Sequence, residues 1–463
     1  MTDFSGKKIT VMGIGLHGGA IETIKWLIKN GAKVVATDIN KKENLLPSLE
    51  KLKDLKNLKI IIGQHRSEDF SRVDMVVKNP AVPWNNKYIK IAKENNIPVE
   101  TDSSLFFKYC PSDKIIGITG TKGKTTTSLL IYEIIKAAGK RAVKVGISQE
   151  PVMDKLSKID KNTYVVFELS SWRLSGLANS LKRPKVSVIT NIYPDHLNYY
   201  GSMEKYIKDK KIILDIQKKG DFCVLNRDDQ YLEEISKEAI ANKIYFSLAE
   251  IDCNNCVFIK EGNIVFKKDV LEDKIAPLKN LKLRGHHNTY NALAAVGAGI
   301  VLGIKKEDIG KALATCQGAP HRLEFVREIN GVQFYNDSAA TVPEAAIAGI
   351  NAFLKPIHLI CGGASKNLDF SEFARKISHS KYVKNIYLLE GTATEKIKEL
   401  IIKEGGQSRI KNIYKSINLA TGEAFREAKK DEIVLLSPAC ASFGMFKNEF
   451  DRGNKFKEAV NVL

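Results

Sequence analysis

The segment GITGTKGKTTT, residues 117–127, is the stretch that decides the fold of this chain. It lies between the apolar run KIIGI, residues 114–118, and the helical pattern TSLLIYEIIKAAG, residues 127–139. Glycines allow such a loop to turn its backbone amides inward onto phosphate oxygens, and the helix N-terminus adds a partial positive charge. The order of strand, glycine-rich loop and helix therefore predicts a site for the phosphates of a nucleotide.

Two side chains of this loop have a specific expected task. Lys124 would reach the terminal phosphates, and Thr125 would offer its hydroxyl to magnesium. The spacing departs from the strict GxxxxGK[ST] pattern, because Ile118 occupies the position of the first glycine. The loop residues expected to bind nucleotide are Gly120, Thr121, Lys122, Gly123, Lys124, Thr125 and Thr126.

Polar side chains also follow the next two apolar runs. Glu168 ends the run TYVVFE, and His196 follows the next apolar run, as the last residue of TNIYPDH. Carboxyl ends of parallel strands meet at one edge of a sheet, and magnesium seldom receives a full ligand set from one loop. We therefore expect Glu168 and His196 to face the phosphate loop as metal ligands.

The organisation of the whole chain is that of an α/β protein. Short β-branched runs alternate with helical patterns in three successive series, which is typical of parallel βαβ units. A length of 463 residues corresponds to about three domains. We predict a Rossmann-like domain at 1–112, a central P-loop domain with a parallel sheet at 113–317, and a second Rossmann-like domain at 318–463.

Composition indicates a cytoplasmic protein. The longest apolar run, Ala292–Ile304, falls short of the roughly 18 residues that a membrane span needs, and no signal peptide is recognisable. Seven cysteines, an odd number, favour a reducing compartment. Cys253 and Cys256 lack a second pair at zinc-binding spacing, which favours two incidental cysteines.

The net charge of +19 favours binding of anionic partners. The lysines are dispersed, and no basic stripe interleaved with aromatic residues is present, so the sequence does not predict nucleic-acid binding. Polyanionic nucleotides account for the excess equally well, and a solvated lysine-rich surface is the alternative explanation.

A second glycine pattern lies near the N-terminus. Gly13, Gly15 and Gly18 form GxGxxG after the first apolar run, and Asp38 ends the second one. By itself this fingerprint favours a dinucleotide, with the acid accepting a hydrogen bond from a ribose hydroxyl. An NAD-dependent oxidoreductase is therefore one alternative, although hydride transfer has no use for the second phosphate loop. A nucleotide-binding protein without activity is another.

Six motifs together resemble the Mur ligase family of ATP-dependent amide-forming enzymes, over essentially the whole chain. They are GTKGKTTT (120–127), ELSSW (168–172), NIYPDH (191–196), HNTYNALAA (287–295), HRLE (321–324) and NDSAAT (336–341), with a lysine 14 residues after His196. The segments GGASKNLDF (362–370) and SPACASFGMFKNEFDRGNKF (437–456) most resemble the family members that add D-glutamate to UDP-N-acetylmuramoyl-L-alanine.

The resemblance implies a reaction and a cofactor set. ATP would phosphorylate the muramoyl-alanine carboxylate, and the amine of D-glutamate would displace phosphate from the acyl phosphate. Lys210 matches the family lysine that carbon dioxide carbamylates to help hold a second Mg²⁺, although its neighbour Lys211 leaves this assignment open by one residue. We expect a monomer with two magnesium sites.

The resemblance also assigns binding residues in the outer domains. The N-terminal glycines, Asp38 and Asn79 would hold the uridine diphosphate of the sugar substrate. Expected contacts to ATP are Asn291, Arg322 and Asp337, and expected contacts to the incoming glutamate are Thr341, Lys366 and Ser442.

Three positions depart from the pattern of the glutamate-adding members. Ala339 stands where lysine is common, Ile147 where asparagine is usual, and Glu449 where an aromatic residue is frequent. These departures leave the identity and the chirality of the amino-acid acceptor open, so a ligase with a different acceptor is a further alternative.

Overall fold

The computed structural model describes residues 3–16, 18–147, 150–365 and 368–463. It contains three sheets and two compact units, Met1–Asn280 with Tyr290–Ala314, and Leu281–Thr289 with Thr315–Leu463. The prediction of a three-domain α/β protein is confirmed. No helix among the described residues is both long and apolar enough to cross a bilayer.

The first sheet is a five-stranded parallel sheet of order β3-β2-β1-β4-β5. Its strands are β1 (Lys8–Met12), β2 (Lys33–Asp38), β3 (Leu58–Ile62), β4 (Met75–Lys78) and β5 (Val99–Glu100), and its helices are α1 (Gly19–Lys29), α2 (Lys42–Glu50), α3 (Glu68–Ser71), α4 (Lys87–Glu94) and α5 (Asp102–Tyr109). The strand order reverses between β1 and β4, and such a switch point opens a crevice at the carboxyl ends of the two strands.

The second sheet has nine strands in the order β14-β13-β12-β11-β10-β9-β6-β8-β7. The strands are β6 (Ile115–Thr119), β7 (Ala142–Val145), β8 (Tyr164–Glu168), β9 (Val186–Ile189), β10 (Phe222–Asn226), β11 (Asn242–Phe246), β12 (Asn255–Lys260), β13 (Asn263–Lys268) and β14 (Leu271–Pro277). The helices are α6 (Lys124–Ala137), α7 (Ser171–Ser175), α8 (Leu197–Tyr200), α9 (Met203–Asp215), α10 (Gln230–Ser236), α11 (His286–Val301) and α12 (Lys306–Thr315), with 3₁₀ turns at Met153–Lys158 and Leu278–Asn280.

The central sheet is mainly parallel, as expected, and departs from that order only at one edge, in β13 and β14. Strand β12 pairs antiparallel with β13, and β13 pairs antiparallel with β14. These strands are joined by short turns, at Glu261–Gly262 and Asp269–Val270, which suit antiparallel hairpins and leave no room for a crossover helix. Cys256 lies in β12, and its sulfur atom lies next to that of Cys253.

The third sheet has the order β15-β16-β20-β17-β18-β19, and only β15 runs antiparallel to its neighbour. Its strands are β15 (Glu324–Ile329), β16 (Val332–Asn336), β17 (Ile357–Cys361), β18 (Val383–Leu389), β19 (Ile410–Tyr414) and β20 (Ile433–Leu436). Its helices are α13 (Pro343–Ile350), α14 (Ser371–His379), α15 (Thr394–Lys403), α16 (Ile417–Glu427) and α17 (Glu449–Asn461), with a 3₁₀ turn at Gln407–Arg409.

The first two sheets belong to one unit because a shared aromatic core joins them. Helix α5 follows the first sheet, and its Phe106 and Phe107 pack against Phe167 of β8, with ring centroids 5.0 and 5.6 Å apart. All three rings are fully buried. Burial of a whole aromatic side chain stabilises a protein by about 2 kcal/mol or more, so this contact fixes the connection firmly.

Candidate functional site

The phosphate loop occupies the turn between β6 and α6, as its sequence predicts. Gly120 and Gly123 have φ angles of 145° and 85°, which L-residues with side chains rarely adopt. A Cβ atom at Gly123 would lie 2.2 Å from Oδ1 of Asn291, and one at Gly120 would lie 1.9 Å from Oγ1 of Thr190. Both glycines are therefore required by conformation and by space.

Lys124 and Lys210 meet at one backbone oxygen. The Lys124 amine donates to the carbonyls of Gly120 and Thr121, at 3.0 and 2.9 Å, and the Lys210 amine donates to the same Gly120 carbonyl at 2.8 Å. Lys210 is only 1% exposed. Burial lowers its pKa well below the usual value, and the neighbouring Lys124 charge lowers it further.

Its sequence neighbour Lys211 lies in a different environment. Lys211 forms ion pairs with Asp215 and Glu238, at 3.2 and 2.6 Å, and its pKa is raised, chiefly by the hydrogen bond to Glu238. Of the two lysines that the sequence left open, only Lys210 contacts the phosphate loop.

Thr125 and Glu168 are joined directly. The Thr125 hydroxyl donates to Oε2 of Glu168 at 2.9 Å, and both side chains are buried. Glu168 is the last residue of β8, which pairs with β6 beside the loop. The carboxyl ends of neighbouring parallel strands thus bring a hydroxyl and a carboxylate to one point.

His196 lies at the same edge of the sheet, after β9. It has a φ of 53° and is the N-cap residue of the short helix α8. Its ring centroid is 4.8 Å from that of Trp172. Burial lowers the pKa of His196, and the positive charges of Lys124 and Lys210 act in the same direction. A neutral imidazole is the form that can bind a metal ion.

Tyr206 and Trp172 are two site residues that the sequence reasoning missed. The Tyr206 hydroxyl lies 3.1 Å from Oγ1 of Thr121, and the Lys210 amine lies 4.7 Å from the Tyr206 ring centroid. Tyr206 and Lys210 are four residues apart in α9, a spacing that places side chains on one helix face and could have identified the tyrosine. Trp172 lies in the motif ELSSW, but the sequence reasoning gave it no role.

The remaining residues of the loop and Asn291 surround this centre. Lys122 donates its backbone N–H to Oδ1 of Asn191 at 2.8 Å, and Thr126 is buried in the first turn of α6. Asn291 of α11 is buried against the loop, and its Oδ1 accepts a hydrogen bond from Thr127 at 3.2 Å. Asn291 thus supports the loop from α11, and its expected contact with ATP stays a prediction.

The N-terminal glycine loop has an organisation that the fingerprint did not predict. Oδ2 of Asp38 accepts the backbone N–H groups of Ile14 and Gly15, at 2.8 and 3.1 Å. Its Oδ1 accepts two further hydrogen bonds from Asn40. Asp38 is 3% exposed, so in this structure it holds the loop together, and a ribose contact stays a prediction.

Asn79 lies against the same glycine loop. Its side chain donates to the carbonyl of Gly13 at 3.3 Å, and a Cβ at Gly13 would lie 2.9 Å from the Asn79 Cβ. Gly13, Gly15 and Gly18 all have positive φ angles. The structure therefore brings the predicted sugar-nucleotide residues of the first domain together.

In the second unit, Asp337 and Thr341 follow β16 and Ser442 follows β20, whereas Arg322 precedes β15. Asp337 is buried and accepts hydrogen bonds from Ser437 and the Leu323 N–H, at 2.8 and 3.2 Å, while Arg322 is exposed. Burial raises the pKa of Asp337 to about 7, and the Arg322 charge opposes that shift.

Two of the three expected glutamate contacts, Thr341 and Ser442, lie on these loops. Thr341 is half-buried and Ser442 is buried, whereas Lys366 lies outside the described residues. Arg452, fully buried, ties the two loops together, because its guanidinium donates to the Ser338 carbonyl and the Cys440 carbonyl at 2.9 and 3.1 Å. Sequence reasoning missed this arginine.

The central residues fit a magnesium ion that also binds phosphates. The Thr125 hydroxyl and the Glu168 carboxylate meet there, and the His196 imidazole lies within the electrostatic influence of Lys124 and Lys210. Magnesium usually takes one or two protein carboxylates and completes its shell with water and substrate phosphates. Among the described residues, no group of three or more His, Cys, Asp or Glu side chains is placed to hold a metal ion.

Comparison with known proteins covers all three domains. Residues 7–101 match the family model "Mur ligase MurD-like, N-terminal domain", residues 118–299 match "Mur ligase middle domain", and residues 321–440 match "Mur ligase, glutamate ligase domain". Of the solved structures, UDP-N-acetylmuramate-alanine ligase from Thermotoga maritima aligns with a TM-score of 0.60 at 19% identity, covering 98% of this chain and 99% of that chain.

Curated relatives align over the full length. A UDP-N-acetylmuramoylalanine–D-glutamate ligase from Roseiflexus sp. (strain RS-1) is 38% identical, covering 98% of both chains. The enzyme of the same name from Clostridioides difficile (strain 630) is 38% identical over 100% of both chains. Full-length identity at this level, together with the phosphate loop, Glu168, His196 and Lys210 at one edge of the central sheet, shows that this chain belongs to the Mur ligase family.

Proposed function

We propose that this chain is an ATP-dependent ligase that joins D-glutamate to UDP-N-acetylmuramoyl-L-alanine, the activity for which its curated relatives are named. This is the reaction of MurD in the cytoplasmic synthesis of peptidoglycan precursors. The observation that carries the proposal is the convergence of Lys124 and Lys210 on the Gly120 carbonyl beside the Thr125–Glu168 pair.

The reaction proceeds in two displacements. A carboxylate oxygen of the alanyl group attacks the γ-phosphorus of ATP, the bond to ADP breaks, and an acyl phosphate forms. The amine of D-glutamate then attacks the acyl carbon, loses a proton, and expels inorganic phosphate as the amide forms. Phosphoryl transfer depends mainly on positioning and charge neutralisation, which suits a loop that holds a lysine charge at its centre.

The residues around Lys210 support carbamylation of this lysine. Reaction of an amine with carbon dioxide gives a carbamate and a proton, and it requires the neutral amine. Burial and the Lys124 charge both favour that neutral form. The negative charge of the carbamate would attract the Lys124 ammonium, and the carbamate would add an oxygen ligand next to His196.

Magnesium belongs to the same proposal. Bound beside the nucleotide phosphates, it would neutralise charge that develops on the transferring phosphoryl group. Thr125, Glu168, His196 and carbamylated Lys210 would hold the two ions. In the second unit, Thr341, Lys366 and Ser442 would bind the carboxylates of glutamate, since hydroxyls and an ammonium are suitable donors for them.

Product analysis tests the proposal. The purified chain is incubated with ATP, MgCl₂, UDP-N-acetylmuramoyl-L-alanine and a panel that includes D-glutamate, L-glutamate and D-aspartate. We expect phosphate release that depends on both the sugar nucleotide and D-glutamate, with a product whose mass corresponds to one added glutamyl residue. Size-exclusion chromatography of the same sample tests the expected monomer.

Two results would contradict the proposal. Phosphate release that needs no amino acid would rule out the assignment of a ligase reaction. A product that carries another amino acid would show that D-glutamate is not the acceptor. That is the alternative which Ala339, Ile147 and Glu449 left open. The full-length relatives do not favour that alternative or an NAD-dependent oxidoreductase.

A further inference from the structure

Lys78 is a buried lysine at the switch point of the first sheet. It is the last residue of β4 and pairs in register with Met12, the last residue of β1. The strand order reverses between these two strands, so Lys78 lies at the crevice where doubly wound sheets bind their ligands. Its side chain is only 1% exposed.

The Lys78 amine lies inside the loop that follows it. It donates to the backbone carbonyls of Asn79, Pro80 and Val82, at 3.4, 3.3 and 2.9 Å. It also lies 4.4 Å from the ring centroid of Trp84. An ammonium has three protons, and the three carbonyls use all of them, while the aromatic face adds a cation–π contact.

This loop, residues 79–84, contacts both the N-terminal glycine loop and helix α7 of the central sheet's domain. Asn79 bonds to the Gly13 carbonyl in the glycine loop, and the Trp84 indole donates to Oγ of Ser175 in α7 at 3.0 Å. The conformation of residues 79–84 therefore decides where Asn79 meets the glycine loop, and Lys78 is the group around which these residues fold.

The charge of Lys78 is balanced at longer range. Among the described residues, no carboxylate oxygen lies within 4.0 Å of its amine. Burial lowers its pKa to about 8, while the charges of Asp102 and Asp209 oppose the shift and that of Lys93 adds to it. The amine is thus mostly protonated at neutral pH and can act as a threefold donor.

We propose that Lys78 is a positioning residue for the nucleoside-diphosphate sugar, because its buried ammonium fixes the loop that sets Asn79 against the glycine loop. The inference rests on the proposed function, in which the first domain binds the sugar nucleotide. Lys78 does not touch the reacting atoms, and it acts through the shape of the loop.

The test compares Lys78→Met with Lys93→Met. Lys93 lies 5.1 Å from the same Trp84 ring but is exposed on α4, so its replacement is a matched control. Calorimetry measures binding of UDP-N-acetylmuramoyl-L-alanine without ATP, and steady-state kinetics gives KM for each substrate. Loss of three charge-assisted hydrogen bonds should raise Kd and KM for the sugar nucleotide about tenfold or more. KM for ATP and kcat should stay within about twofold of wild type, as should every constant of Lys93→Met.

Further variants keep the test decisive. Lys78→Arg keeps a cation and several donors, so it should bind the sugar nucleotide more tightly than Lys78→Met. Should Lys78→Met fail to fold, Lys78→Gln retains two donors without the charge, and a severalfold weaker affinity is expected from it. Unchanged affinity in a folded Met or Gln variant, or a loss confined to kcat, overturns the inference while the proposed function stands. Failure of the wild type to bind the sugar nucleotide would overturn both.

Discussion

At the scale of the residue, Lys210 and Lys211 show how position in a fold changes identical side chains. They are adjacent in sequence and have the same reference pKa, yet one pKa is lowered and the other is raised. The difference arises because α9 turns Lys210 towards the phosphate loop and leaves Lys211 beside two carboxylates. The run KDKK therefore contains one candidate catalytic group and one ordinary surface cation.

We predict that Lys210→Ala lowers kcat at least about 100-fold, because both the carbamate and its metal contact are lost. Adding formate or acetate should restore part of the activity by supplying a small carboxylate to the vacated space. Lys211→Ala is the control and should keep kcat within about twofold. Equal loss in both variants, or no rescue by any short carboxylic acid, would contradict the carbamate assignment.

Asp337 gives a prediction about how stability depends on pH. Its pKa in the folded protein, about 7, lies above its reference value of 3.8, so folding favours the protonated form. The resulting stability is present below pH 4 and is lost as the pH rises through 7. Asp337→Asn should therefore stabilise the second unit by about 2 to 4 kcal/mol at pH 8, and by far less at pH 4.

Thermal unfolding at both pH values measures this effect. Asp431→Asn is a suitable control, because the Asp431 side chain is 73% exposed and pairs with Lys355 at the surface. A stability gain for Asp337→Asn that is the same at pH 4 and pH 8 would show that the carboxyl titrates normally.

At the scale of the element, the phosphate loop depends on two glycines, of which Gly123 faces a distant helix and Gly120 faces Thr190 after β9. Asn291 lies 168 positions after Gly123 in the chain, yet it contacts the space that a Cβ at Gly123 would take. The loop conformation is therefore set both by its own glycines and by α11, which closes over it.

We predict that Gly123→Ala abolishes detectable ATP binding or raises KM for ATP more than about tenfold, since the loop must shift to relieve the clash. Gly139→Ala is the matched control. Gly139 has a similar φ of 70°, but a Cβ there would meet nothing within 4 Å. That variant should lose only about 1 kcal/mol of stability and keep its ATP affinity. Equal effects in both would mean that backbone strain alone, and not Asn291, limits this position.

At the scale of the whole molecule, each unit contains a buried carboxylate that is held ionised by cations. Burial opposes ionisation of Glu432, but hydrogen bonds from Lys384 and His358 outweigh it and lower the pKa to about 2. In the other unit, Arg183 and Lys185 likewise lower the pKa of Asp221 against the effect of burial. Both carboxylates stabilise the folded state above their unfolded pKa values, and this stability is lost as the pH falls below about 4.

We predict that Glu432→Gln lowers the free energy of unfolding by about 2 kcal/mol at pH 7, and that the difference shrinks as the pH approaches 2. Urea unfolding at pH 7 and at pH 3 measures it. Asp221→Asn should affect the first unit in the same way. Glu234→Gln is the control, since its side chain is 72% exposed and pairs with Lys237. A constant difference for Glu432→Gln across this pH range would exclude the ionised pair as its cause.

The sequence alone predicted the three α/β series, the phosphate loop between β6 and α6, and the placement of Glu168 and His196 at strand ends. These features depend on local patterns, namely the positions of glycine, β-branched runs and the parallel order of strands. The antiparallel strands β13 and β14 were missed, because short runs joined by tight turns resemble other short strands until their pairing is known.

The tertiary structure decided what no local pattern contains. Burial lowered the pKa of Lys210, whereas ion pairing raised that of Lys211. The carboxylate of Asp38 accepts hydrogen bonds from two backbone amides. The same packing surrounded Lys78 with carbonyls and joined two loops through Arg452. The physical reason is that burial and charge pairing arise between residues far apart in the chain, whereas loop conformation and strand order are encoded by neighbours.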